Sequence, residues 1–184
     1  MLTNILLDEL PDTTPNGYKI KTDYRQAIKF ELLMQDRNID EKEKILLTLN
    51  LFYDEVIDMQ KQLEDAIWFY LKGKEIKKEQ NETSNNEQIY SYEYDADYIF
   101  SAFLETYGIN LNTAKLHWWE FKAMFEGLNE KTKMVEIMGY RAVDLSKIED
   151  KNEKARYKKL KKIYQLPDMR TAEEKEADFG KAFW

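Results

Sequence analysis

Apolar residues recur along most of this chain at intervals of three and four, the period that gathers side chains on one face of an α-helix. Thr22 or Asp23 caps a first helix over about 23–36, with Tyr24, Ala27, Ile28 and Leu32 on one side. Asp40 with Glu43 has the outline of a capping box and opens a second helix, through Phe52 or Tyr53. Over about 55–72, Val56, Met59, Leu63, Ala66, Ile67 and Tyr70 form a third stripe, and Gly73 stands where a left-handed residue ends it. Asp95 caps a helix over about 96–107 that stops at Gly108, and Thr113 caps another over about 114–126 that stops at Gly127. That last helix is apolar around most of its circumference (Leu116, Trp118, Trp119, Phe121, Met124, Phe125), which makes it central. A short helix over about 130–138 ends at Gly139, and a long charged one over about 149–165 stops before Pro167.

Two stretches break the pattern. Asn16-Gly17 followed by Tyr18-Lys19-Ile20-Lys21 has the form of a turn leading into a strand, with Ile5 to Leu7 as its pairing partner in a small hairpin. Residues 74–88 hold one large apolar residue, Ile76, too little to bury, and read as a flexible loop. The expected fold is mainly α: a single-domain bundle of about six helices with a small N-terminal β-hairpin. The domain spans residues 1–168, and 169–184 form a mobile or weakly helical tail opening at Thr171 to Glu174.

Composition narrows the function classes. The 184 residues are 43% hydrophobic and 14% aromatic, enough for a sizeable core, yet 34% are charged. Without cysteine there is no disulfide, thiolate metal site or cysteine nucleophile. No apolar run approaches the roughly 18 to 20 residues that cross a bilayer, and Met1 to Leu10 carries Asp8 and Glu9 with no positive leader, unlike a signal peptide. The six glycines stand far apart, so neither a dinucleotide fingerprint nor a P-loop is present.

Candidate chemistry is sparse. His117, the sole histidine, lies between Leu116 and Trp118 with no nucleophile at local spacing, and reads as a packed residue rather than a base. Asp95 and Asp97, after Glu93, have the types for a hard metal ion, but one helix cap and one acid in the first turn account for the pair. Lys151, Lys154, Arg156, Lys158, Lys159, Lys161 and Lys162 put seven positive charges in twelve residues against Glu153 alone. With Tyr157, Leu160, Ile163 and Tyr164 as its apolar stripe, this helix reads first as a solvated surface. An acidic protein partner ranks next and nucleic acid last, because the net charge of −7 opposes phosphate binding. Phe179, Phe183 and Trp184 close the chain after an acidic stretch, either to grip another protein or to fold back on the core.

Several of these segments, taken together, resemble the bacteriophage gene-product-fifteen family from the tail-morphogenesis region of long-tailed phages and prophages of Gram-positive bacteria. They are Tyr18 to Arg25, Ala66-Ile67-Trp68-Phe69-Tyr70 with Gly73, Tyr107-Gly108-Ile109-Asn110-Leu111, Leu116-His117-Trp118-Trp119-Glu120-Phe121, Gly139-Tyr140-Arg141 and Asp144-Leu145-Ser146-Lys147-Ile148. The resemblance covers about residues 1–168. It implies a tail-morphogenesis protein without catalytic residues or cofactor, acting as a tail assembly chaperone in the host bacterial cytoplasm. The implied partners are other tail proteins, the tape-measure protein first, and homo-oligomerisation stays open. The candidate contacts are Lys154, Arg156, Lys158, Lys159, Lys161 and Lys162 with Phe179, Phe183 and Trp184. A nucleic-acid-associated regulator using helix 151–162 is the alternative, and a metal-dependent enzyme built on Asp95 and Asp97 a third class.

Overall fold

The computed structural model describes residues 4–74 and 88–167. Among these described residues seven α-helices follow in order: α1 (Tyr24–Gln35), α2 (Glu41–Phe52), α3 (Met59–Tyr70), α4 (Ala96–Tyr107), α5 (Trp118–Glu126), α6 (Lys133–Ala142) and α7 (Lys151–Ile163), with a 3₁₀ turn at Leu145–Lys147 before α7. The fold is mainly α, as the apolar period requires. Aspartates start many of these helices: Asp23, Asp40, Asp58 and Asp150 each accept a backbone N–H from the first turn.

Helix α5 is the hub. It packs on α1 and α4, while α1 packs on α2 and α2 on α3. Phe121 is fully buried at the centre, stacked on Tyr24 at 4.5 Å and on Phe103 at 4.9 Å between ring centroids. The two adjacent tryptophans also do polar work. The Trp118 and Trp119 indoles donate to the carbonyls of Tyr70 and Phe69 at 2.9 and 2.8 Å, tying the start of α5 to the last turn of α3. The starts of α1 and α5 are clasped by a backbone bridge, Tyr24 N–H to Leu116 O and Trp118 N–H to Thr22 O. Arg25 locks the clasp by donating to the carbonyls of Leu111 and Ala114.

The structure revises several expectations. Helix α3 begins at Met59, not near residue 55, and Val56 and Met59 are exposed. Its inner face is Gln62, Asp65, Ala66 and Phe69, because both polar side chains find partners. Asp65 accepts from the Thr14 hydroxyl and the Asn16 amide, and Gln62 accepts from the Ile57 and Asp58 N–H groups. Asp65 thereby fixes the Asn16-Gly17 turn. Gly17 has φ +87°, and the turn closes through a single isolated bridge between Thr13 and Lys19. Ile5 to Leu7 take no part in that pairing and form a separate exposed turn.

Helix α5 starts at Trp118, after an irregular 114–116 segment, so its cap is His117 and not Thr113. Helix α6 does not end at Gly139 but runs on to Ala142, and Gly139 keeps an ordinary helical φ. Gly108 and Gly73 do hold left-handed conformations, at φ +68° and +70°. Most of the expected loop at 74–88, and the whole expected tail at 169–184, lie outside the described residues.

Candidate partner-binding surface

Helix α7 carries the basic run, and its residues divide cleanly by face. Tyr157, Leu160, Lys161 and Tyr164 are half-buried against α6 and the 3₁₀ turn, whereas Lys151, Lys154, Arg156, Lys158, Lys159 and Lys162 are exposed. Ile163, expected on the apolar stripe, is 58% exposed. Lys161 reaches the Val143 carbonyl, so it belongs to the docking side. Among the described residues, no acid pairs with Lys154, Arg156, Lys158, Lys159 or Lys162. The helix therefore presents a strip of uncompensated positive charge on an acidic chain.

An arginine anchors its C-terminal end. Arg141, in the last turn of α6, holds Asp95 through both ends of its guanidinium, at 2.6 and 2.9 Å, with both side chains almost wholly buried. Its Nε donates to the Tyr164 carbonyl at 2.6 Å, and its Nη1 donates also to the Ile89 carbonyl at 3.1 Å. Tyr164 is the C-terminal cap of α7, so the guanidinium sits at the negative end of that helix dipole. Tyr164 also stacks on Tyr140 at 5.7 Å, with the Lys133 ammonium 5.0 Å from its ring centre. One side chain thus ties the start of α4, the end of α6 and the end of α7 together.

This network overturns the expected role of Asp95. It stands at the N-cap position of α4, but its side chain makes no cap bond there; it accepts from Arg141 and from the Ser91 N–H. Both oxygens of this buried carboxylate are engaged, by Arg141 and Ser91, and Asp97 stands on the exposed surface. Among the described residues, no three His, Asp or Glu side chains gather where they could hold a metal ion.

His117 has a definite structural task. Its Nδ1 accepts the Trp119 N–H at 3.0 Å, while Glu120 accepts the His117 N–H, the reciprocal pattern of a capping box. Nε2 lies 3.1 Å from the Pro11 carbonyl. These partners demand one tautomer, neutral with the proton on Nε2. Burial accordingly holds the imidazole below its usual pKa.

The structure brings the basic candidates onto one exposed helix, with Lys161 turned aside. Phe179, Phe183 and Trp184 lie outside the described residues. Sequence reasoning missed Arg141 as the keystone; its one local sign was a cation in the last turn of an amphipathic helix.

Among the described residues, no helix is long and apolar enough to cross a membrane. A family model described as Bacteriophage Gp15 protein matches residues 6–166, most of the chain. No curated protein and no solved structure matches it.

Proposed function

We propose that this chain, which belongs to the bacteriophage Gp15 protein family, is a non-enzymatic tail-assembly protein that binds other tail proteins through the exposed face of α7. The observation that carries this reading is the strip Lys154, Arg156, Lys158, Lys159 and Lys162, uncompensated among the described residues and fixed to the body through Arg141. Exposed lysines on a soluble helix usually pair with nearby acids or alternate with them. Here an acidic chain concentrates cations on one rigid element, an arrangement suited to steering and seating an acidic protein surface.

The tail-morphogenesis setting that the family resemblance implies makes the tape-measure protein the first partner to test. The proposed action is that of a chaperone, keeping the partner soluble in the host cytoplasm until tail-tube subunits assemble around it. Phe179, Phe183 and Trp184 are proposed as a second contact.

Co-expression with the tape-measure protein encoded nearby, then affinity capture and light scattering, tests the reading. A soluble complex of defined mass, weakened when residues 169–184 are removed, supports a chaperone with both contacts; capture unchanged by that truncation removes the tail from it. An insoluble tape measure, with this protein eluting alone, overturns that partner. Retention on duplex DNA that falls steeply with salt would favour the nucleic-acid alternative instead.

A further inference from the structure

The N-terminal turn displays three aliphatic side chains to solvent. The Leu7 and Asp8 N–H groups donate to the Asn4 carbonyl at 2.9 and 2.8 Å, and the Asp8 carboxylate accepts the Asn4 N–H at 2.7 Å. The turn is therefore closed by its own hydrogen bonds. Yet Ile5, Leu6 and Leu7 are 43%, 87% and 82% exposed. Single exposed aliphatics are ordinary, but three in a row on a preformed knob mark a contact surface. Asp8 and Glu9 follow them directly.

A groove elsewhere on the molecule has the complementary pattern. Between α1 and α2, Leu33, Leu47 and Leu51 line a depression of about 350 Å³, edged by Lys21 and Lys29. That volume is at the lower end of the roughly 300–1,000 Å³ typical of ligand pockets. No residue of the chain's own N-terminal turn lines it. Lys21 is committed to Asp54 and to the Tyr53 carbonyl. Lys29 is exposed and, among the described residues, has no ion-pair partner. An apolar knob followed by acids thus matches an apolar groove with a free cation at its edge.

We infer that the Ile5-Leu6-Leu7 turn of one copy docks in the α1–α2 groove of a second copy, with Glu9 paired to Lys29. Reciprocal exchange closes a dimer, and one-way exchange builds a ring or filament. The inference rests on different residues from the α7 surface and stands or falls separately.

Light scattering on the full chain across a concentration series tests it. The protein should self-associate. The double substitution L6D/L7D, at exposed positions where folding has little at stake, should weaken that association at least tenfold. Leu47→Asp, checked for folding by circular dichroism, should do the same from the groove side. Glu9→Lys and Lys29→Glu should each weaken association, and the two together should restore it. A monomer at every concentration overturns the inference. So does an oligomer that survives L6D/L7D, or a charge exchange that fails to restore association.

Discussion

Asp95 and Arg141, separated by 46 residues of chain, meet end to end in the interior with both carboxylate oxygens engaged. A buried pair of this kind need not add net stability, but breaking one side of it leaves an uncompensated charge, at a cost of about 3–5 kcal/mol. Arg141→Met should therefore lower unfolding stability by about that amount in a denaturant titration. Arg141→Lys should recover little of it, since an ammonium lacks the planar fork that spans two oxygens and reaches a carbonyl as well. Pairing Arg141→Met with Asp95→Leu should cost less than Arg141→Met alone, because no charge is then stranded. Amide exchange over residues 157–164 should quicken in every variant that lacks the guanidinium, since α7 loses its mount.

The His117 cap predicts a pH dependence. Its folded-state pKa is depressed by burial, and the neutral ring is the form that caps α5. Above about 6.5 this contribution is fully present; as pH falls below it, the unfolded chain takes up the proton first, and stability declines until the lower folded-state value is reached. His117→Ala should remove this component of the pH profile and cost about 0.5–2 kcal/mol at pH 8, the range for losing a helix cap. Urea midpoints measured from pH 5 to pH 8 on both proteins check the two effects together.

Gly108 offers a cleaner backbone test. Its φ of +68° ends α4, and a Cβ built there meets nothing within 4 Å. Gly108→Ala should therefore cost only the left-handed conformational penalty, about 1–2 kcal/mol, with no packing loss. Thermal unfolding of the variant measures it. A much larger loss would mean that the turn into Ile109 carries contacts beyond its backbone geometry.

How far the sequence was readable follows from the range of each interaction. Helix starts at Asp23 and Asp40 and the stop at Gly108 were legible because a cap or a left-handed glycine acts within a turn of its own residue. The centrality of Trp118, Trp119 and Phe121 was legible from apolar density. What escaped depends on distant partners. Gln62 and Asp65 look like a solvent face until Glu55 to Asp58 and the Thr14 turn supply their hydrogen bonds. Asp95 has the type and position of a cap, and only Arg141 shows why it leaves that role. Gly139 looked like a stop because its lack of a side chain disfavours helix, but the turn beyond it is held by Arg141. Of the candidate surface, the exposed lysines were legible from charge density, whereas the way α7 is mounted on α6 was not.

The outward face of α7 is the proposed binding surface, and removing its charge puts that role to the test. Replacing Lys154, Arg156, Lys158, Lys159 and Lys162 with glutamine keeps good helix formers at exposed sites, so circular dichroism and the unfolding midpoint should stay close to those of the parent protein. Capture of co-expressed tape-measure protein by this variant should fall at least tenfold, and capture by the parent protein should weaken as salt rises from about 50 to 500 mM. Capture that is equal for the two proteins and indifferent to salt would contradict the assignment of α7 as the binding surface.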